Sequence, residues 1–255
     1  MYRAQPRRTP LGHAVRLTRL LLVRLLSPVL FSAITVWTFC LQPPPRVCTE
    51  YYDSDAVFIG KVIGVRQVSE GEYTAGWFYR MRVQKSFRGP TDPVIEVYTG
   101  NDSARFPLVE GRQYLLFARS FEGRLNIGYC GNSGLLEKSA DAVTQIKQIK
   151  QTKSGGEIAG RIGRDDSNDY EGVRIVAVGN KGTYEALTDR LSWFHMRVPE
   201  GTYKVHAEAP GRKFVPYDLT YDDPDHIVVH PGGCPQMEFA PEEWYNPHPP
   251  APKPS

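Results

Sequence analysis

From residue 56 to residue 239 the chain is a succession of short β-rich runs separated by Gly, Pro, Asn and Asp. Such runs, bounded by turn-forming residues, are typical of strands joined by tight connections. The 255 residues include 23 Gly and 21 Pro, more than an average globular chain carries, and these residues favour turns over long helices. The pattern therefore predicts an all-β protein.

The first set of runs is followed by one helical pattern. Ser139 is predicted as its N-cap, and Ala142, Ile146 and Ile149 recur at helical spacing. Five strands that close a small barrel, covered by one C-terminal helix, form an OB-type fold, in which closure removes free sheet edges. The five predicted strands are residues 56–68, 77–87, 94–99, 113–119 and 125–127.

A second set of runs begins after residues 151–156, which are polar, end in Gly and are predicted to be a linker. Eight runs at this spacing are typical of a β-sandwich. The predicted strands are residues 158–162, 173–178, 184–188, 193–198, 202–208, 214–219, 227–229 and 236–239.

The N-terminal segment differs from the rest in charge. Residues 1–39 contain six Arg and no acidic residue, and residues 25–41 contain no charge at all. This arrangement predicts an N-terminal hydrophobic helix that serves as a signal peptide or as a membrane anchor, with its basic flank in the cytoplasm. Either way the folded part is exported: it is anchored outside the cytoplasm, or it is secreted or periplasmic after cleavage.

Charge also bears on the kind of partner. The chain carries a net charge of +3, but without residues 1–39 the body holds 25 basic and 28 acidic residues. No cluster of Lys and Arg stands out along the body, as a nucleic-acid-binding face would require. The sequence therefore predicts no nucleic-acid partner.

Several runs of the first set occur in an order that resembles the netrin-like domain of tissue inhibitors of metalloproteinases, in the form seen in exported bacterial proteins. The resemblance spans roughly residues 40–150 and implies an OB-fold domain there. The runs that carry it are residues 55–62 (DAVFIGKV), 82–89 (RVQKSFRG), 97–100 (VYTG), 106–111 (FPLVEG) and 114–118 (YLLFA).

The resemblance bears on the four cysteines. That family inhibits zinc proteases through an N-terminal Cys, the first of a C-x-C pair, but Thr38 stands two positions before Cys40. The resemblance implies a Cys40–Cys130 disulfide and leaves Cys48 with Cys234, although four cysteines by themselves allow three pairings. Metalloproteinase inhibition through an N-terminus at Cys40 is therefore an alternative function, weakened by Thr38.

The second set resembles the carboxypeptidase regulatory-like domain, a transthyretin-like or Ig-like sandwich. This resemblance implies such a sandwich over residues 157–240. The runs that carry it are residues 156–162 (GEIAGRI), 171–175 (EGVRI), 188–190 (TDR), 193–194 (WF) and 198–205 (VPEGTYKV). The Pro-rich composition of residues 241–255 predicts a disordered tail after this sandwich.

No motif of a known hydrolase nucleophile or zinc peptidase occurs, so we expect no catalytic residue, cofactor or metal site. His226 and His230 flank a predicted strand and would lie about 13 Å apart, too far to share one ion. The expected function is non-enzymatic: a binding or structural protein that presents loops on two β domains to a protein or a cell-envelope component. Carbohydrate stacking by Trp193 and Phe194 is a further alternative.

Overall fold

The computed structural model of the protein describes Cys40 and residues 44–163, 170–217 and 226–244. The expected signal or anchor segment at residues 1–39 lies outside these residues. So does most of the expected tail, residues 245–255. By its internal contacts Cys40–Ser255 forms one compact unit. Within the part of the chain that is described, no helix has both the length and the apolar composition needed to cross a membrane.

Residues 44–151, called the barrel half below, contain one sheet that closes on itself. Its strands are β1 (Ala56–Glu70), β2 (Tyr73–Arg88), β3 (Val94–Gly100), β4 (Gln113–Phe121), β5 (Arg124–Asn126) and β6 (Gly134–Leu135). β1 pairs with β2 on one side and with β4 on the other, which gives the closed order β1-β2-β3-β5-β4 with β6 added to β4. All neighbours are antiparallel except β3 and β5.

The barrel interior is filled by side chains that alternate along the strands. Phe58, Met81, Val97 and Leu116 are at most 1% exposed and belong to one apolar cluster. The pairing of β1 with β2 shifts after Val62, a bulge that increases the local twist and helps the sheet to close.

Two helices pack on the outside of this barrel: α1 (Val47–Asp53) and α2 (Ala140–Gln151). They share a second apolar cluster with outward-facing side chains of the barrel. A helix of seven residues is not stable by itself, so α1 depends on its tertiary contacts. The cluster includes Val47 and Tyr51 of α1, Ile146 and Ile149 of α2, and Leu115 and Phe117 of β4.

Residues 156–244, called the sandwich half below, form two four-stranded sheets. The strands are β7 (Gly156–Ile162), β8 (Arg174–Gly179), β9 (Gly182–Leu187), β10 (Trp193–Val198), β11 (Gly201–Glu208), β12 (Phe214–Pro216), β13 (Ile227–Val229) and β14 (Gln236–Pro241). One sheet has the order β10-β7-β14-β12, and the other β13-β11-β8-β9.

The core of the sandwich half lies between the inner faces of these sheets. Ile158, Phe194, Tyr203 and Phe239 are at most 1% exposed and belong to this core. Along β10 every second side chain is buried, so Trp193, His195 and Arg197 point away from the core. This outward row contributes to the candidate site described below.

The mostly β architecture in several sheets confirms the all-β prediction, but several details differ, among them β6, a sixth barrel strand where five were expected. α1 is a second helix where only one was expected. Ser139 occupies the expected N-cap position of α2, but its hydroxyl donates to Leu135 O and caps no helical N–H. Residues 241–244 belong to the fold, since β14 reaches Pro241 and a 3-10 turn follows at Glu242–Trp244.

Candidate functional site

Helix α1 connects the two halves. Cys48 forms a disulfide with Cys234 of the sandwich half. Next to it the Thr49 hydroxyl donates to Cys234 O at 2.7 Å, and the Tyr52 hydroxyl donates to Pro231 O at 2.6 Å. Because the opposite side of α1 packs on the barrel, this short helix fixes the barrel half to the sandwich half.

A charged cluster lies beside this connection. Arg46, just before α1, places Nη1 2.5 Å from Oε1 of Glu157 on β7, and His195 Nδ1 lies 2.9 Å from the same oxygen. Burial by itself would raise the pKa of Glu157, but the hydrogen bonds from Arg46 and His195 outweigh it, so the pKa is lowered. Glu157 is therefore ionised at neutral pH and holds a cation from the other half.

Arg197 lies next to this cluster. It stands directly opposite Glu157 in the ladder between β7 and β10, and it is exposed. Glu157 is already engaged by Arg46 and His195, and Arg197 forms no ion pair with any residue that the structure describes. Its guanidinium is therefore available to an external acceptor.

An open cleft of about 690 Å³ runs along the junction. Its rim also carries Glu200, which Lys181 Nζ (2.6 Å) and the Gly155 N–H (2.8 Å) hold in place and whose pKa they lower to about 2. Because its walls carry both signs of charge, this cleft suits the polar surface of a protein better than a small apolar ligand. The lining residues include Arg46 and Cys48, Ser154 and Glu157, Arg197 and Glu200, and Gly233 and Cys234.

The other disulfide, Cys40–Cys130, attaches the start of the described chain to the loop after β5. In that loop Asn132 donates from N and from Nδ2 to Oε2 of Glu50, both at 2.6 Å. Glu50 is 8% exposed, and burial raises its pKa although the Asn132 hydrogen bonds partly oppose this. A Cβ on Gly131 would lie 2.1 Å from Glu50 Oε1, so a larger residue there would displace the Glu50 carboxylate from its present position. Cys40, this loop and α1 thus form one fixed cluster.

The two disulfides are the pairs that the sequence analysis put forward. Within the described residues no cysteine is free. Structural disulfides form and persist in oxidising compartments. The two bonds therefore indicate an oxidising, extracellular environment.

The prediction that Trp193 and Phe194 together stack on carbohydrate is wrong for Phe194. Phe194 is 1% exposed and packs in the core near Phe239, with ring centroids 6.3 Å apart. Trp193 is half-buried, and the Arg161 guanidinium lies over its ring at 5.5 Å. Neighbouring residues on a strand point to opposite faces, so Trp193 and Phe194 cannot form one stacking surface.

The histidines of the sandwich half lie at separate places. His226 and His230 flank β13, and His230 stacks on the Tyr52 ring with a centroid distance of 4.4 Å. Burial against α1 lowers the pKa of His230. Over the described ranges, no three His, Cys, Asp or Glu side chains group closely enough to hold a metal ion.

Sequence reasoning did not find the charged cluster at the junction. The alternation of β10 does predict that Trp193, His195 and Arg197 share one face. Nothing in the sequence indicates that Arg46, 111 residues before Glu157, reaches this face. The Cys48–Cys234 pair was the one signal that these segments lie together.

No model of a known protein family matches this chain, and no curated protein sequence matches it significantly. Its function is therefore argued from the geometry of the junction.

Proposed function

We propose that this protein is an exported, non-enzymatic binding protein whose two halves together present the junction cleft to a protein partner in the cell envelope or the extracellular space. The observation that carries the proposal is the connection at α1: the Cys48–Cys234 bond and the Arg46–Glu157 contact hold both walls of one cleft that carries charges of both signs. A partner that binds there contacts both halves at once.

A fixed junction favours binding for a physical reason. Association costs free energy for every segment that must be ordered, and a surface that is already held in place avoids that cost. The Thr49 and Tyr52 hydrogen bonds add to the disulfide in restricting motion between the cleft walls. Arg197 on the rim offers an unpaired cation to an acidic group of the partner, and Glu200 offers a fixed anion.

The architecture supports the two resemblances seen in the sequence. A five-stranded barrel in which β1 closes on β4 is in keeping with an OB-type, netrin-like domain over residues 40–150. Two packed four-stranded sheets are in keeping with a transthyretin-like, carboxypeptidase regulatory-like domain over residues 157–240. Both are scaffolds that present loops, although a fold by itself does not specify a function.

Site-specific crosslinking in the native host tests this proposal. A photo-crosslinking amino acid replaces Arg197 at the cleft, and in a matched control it replaces Lys147, an exposed residue on α2. We expect a discrete protein adduct from position 197, its absence at position 147, and its loss when Cys48→Ser and Cys234→Ser are added. The absence of a protein adduct at 197, or the same adducts at both positions, contradicts the proposal.

A second readout uses the partner identified in that adduct. We expect Arg197→Glu to weaken its binding about tenfold or more, since a like charge is placed at a polar rim, and Lys147→Glu to leave binding unchanged. Equal effects of the two substitutions would mean that net charge, and not the cleft, determines binding.

Metalloproteinase inhibition is the second candidate. The observation that favours it is the Cys40–Cys130 bond, which is the bond that the netrin-like resemblance implies. Inhibition in that family requires a free amine at the N-terminal Cys. Sequencing the N-terminus of the protein from its host, followed by assay of a chain that begins at Cys40 against zinc proteases, tests this candidate. A mature chain that still begins at Met1, or a Cys40 chain without inhibition, rules it out.

A further inference from the structure

The outward face of the barrel half carries a group of cations that the linear sequence conceals. Along β2, Tyr79 and Met81 are 2% and 0% exposed and point into the barrel. Phe78, Arg80 and Arg82 therefore point outward, and both arginines are exposed.

Strand pairing brings more cations to the same face. Lys61 of β1 stands opposite Arg82, and Arg66 of β1 stands opposite Phe78. On the other side of β2, Phe78 stands opposite Tyr98 and Arg80 opposite Glu96. We call the surface formed by Lys61, Arg66, Phe78, Arg80, Arg82 and Tyr98 the cationic face.

Most of these charges have no protein counter-ion. The one ion pair that this group forms within the described residues is long: Arg66 Nη2 lies 3.9 Å from Glu96 Oε2. Their side chains are 61% and 52% exposed, so solvent screens the attraction between them. Lys61, Arg80 and Arg82 form no ion pair with any residue in the described ranges. Over these outward positions four cations face one acid, whereas the chain beyond residue 39 contains more acidic than basic residues.

The two aromatic rings of the face are already covered by guanidinium groups. Arg66 Cζ lies 4.6 Å from the Phe78 ring centroid, Arg124 Cζ lies 4.7 Å from that of Tyr98, and the two rings are 5.0 Å apart. Cation–π contact of this kind restricts the long arginine side chains before a ligand arrives. It also occupies ring faces on which nucleic-acid bases would stack. This arrangement favours binding of anions over stacking of flat rings.

The spacing of the cations suits a polymer. The Cα atoms of Arg80 and Arg82 are about 7 Å apart along β2, and the Cα atom of Lys61 is about 5 Å from that of Arg82 on the neighbouring strand. Arginine forks bind carboxylate, sulfate and phosphate groups well. An open row of cationic side chains fits a linear chain with an anion on every unit. The disulfides indicate an oxidising, extracellular environment, and acidic polysaccharides are one class of linear polyanion found outside the cytoplasm.

We infer that the cationic face binds an acidic polysaccharide. None of its residues lines the junction cleft, so the inference stands apart from the proposed protein partner. It also corrects the expectation that the folded part has no cluster of basic residues: the cluster exists, because the register of β1 and β2 assembles it from positions about 20 residues apart.

The test measures binding of the purified, disulfide-bonded full chain to polygalacturonate, with dextran as the neutral control. We expect the chain to bind the polyuronate and not dextran. Binding should weaken as salt is raised from about 50 to about 200 mM, because a complex that releases counter-ions depends on salt in this way. Arg80→Gln with Arg82→Gln should weaken binding about tenfold or more and lower the slope of log Kd against log salt by up to about two. Lys147→Gln with Lys153→Gln removes the same charge from the region of α2 and should leave Kd within about twofold.

Three outcomes would overturn the inference: no binding to polygalacturonate, equal losses in the two double variants, or tighter binding to a single-stranded oligonucleotide or to anionic phospholipid vesicles than to the polyuronate. The Arg80→Gln and Arg82→Gln chain should still give the crosslink from position 197. Loss of polysaccharide binding with an intact crosslink, or the reverse, therefore shows which of the two proposals fails.

Discussion

Within the described residues, outward charges of the sandwich half such as Arg161 and Arg174 are paired, with Arg197 at the cleft as an exception, whereas the barrel half leaves most of the cations on its β1–β3 face unpaired. On the sandwich, Arg161 meets Glu238 at 3.0 Å with both side chains 17% exposed, and Arg174 lies between Glu185 and Glu208. Opposite charges across strands stabilise a sheet, so these pairs contribute to the fold. Unpaired cations contribute little to the fold, and this difference is an argument for the proposed ligand at the barrel face.

The halves also differ in the groups that surround a buried or half-buried carboxylate, Glu50 in the barrel half and Glu157 in the sandwich half. In the barrel half Glu50 accepts hydrogen bonds from the neutral donors of Asn132, and burial raises its pKa although these bonds and the charge of Arg119 oppose it. In the sandwich half Glu157 meets Arg46 and His195, and its pKa is lowered. Stability should therefore change with pH in opposite directions at these two sites.

The largest expected effect comes from separating the halves. Cys48→Ser with Cys234→Ser should lower the free energy of unfolding by about 4–5 kcal/mol, since a bond between residues this distant strongly restricts the unfolded chain. The two cores should then unfold in separate transitions, which calorimetry resolves. The control is Cys40→Ser with Cys130→Ser, which leaves the halves joined and should keep one transition. A single transition at an unchanged midpoint in the Cys48 and Cys234 variant would contradict this expectation.

The next effect concerns Glu50. Because its pKa in the folded state lies above the unfolded value of 4.5, its contribution to stability is complete below that value and is lost as pH rises through the raised pKa. Glu50→Gln keeps an acceptor for Asn132 but cannot ionise, so unfolding free energies between pH 4.5 and pH 7.5 should vary less than in the parent. Urea unfolding across this range measures the change, with the exposed Asp141→Asn as control. A profile unchanged by Glu50→Gln would show that the carboxyl is effectively solvated.

Patterns of neighbouring residues predicted most strands of both halves. They failed where contacts with a distant segment of the chain determine the structure. Alternation and turn residues located β10 and β13, and helical spacing located α2. Helix α1 was missed because it has only seven residues after a run of prolines and is held by contacts to Leu115, Phe117 and Cys234.

The candidate surfaces show the same limit. The outward row Trp193, His195 and Arg197 follows from alternation alone, but its contact with Arg46 depends on how the halves meet. The cationic face depends on strand register: the bulge after Val62 determines which β1 residues stand beside Arg80 and Arg82. A slip of one residue would move those side chains to the other side of the sheet.

A smaller effect is expected at Glu157. Its pKa lies below the unfolded value of 4.5, so its contribution is present above that value and is lost as pH falls through the lowered pKa. Glu157→Gln should lower the free energy of unfolding at pH 7 by about 0.5–1 kcal/mol, a figure reduced for solvent screening of the partly exposed pair. At pH 3 the difference from the parent should shrink. Glu96→Gln on the barrel, 52% exposed, is the control and should change neither value.

The smallest effect tests the comparison between paired and unpaired charges directly. Arg80→Gln with Arg82→Gln should change the free energy of unfolding by less than about 0.5 kcal/mol, because these side chains are exposed and contact no counter-ion in the described residues. Arg161→Gln on the sandwich should cost about 1 kcal/mol or more, since it leaves the mostly buried Glu238 without its partner. Urea unfolding at pH 7 compares the two. If the barrel variant is destabilised as much as the sandwich variant, the cations on the barrel face serve the fold, and their lack of counter-ions ceases to be an argument for a ligand.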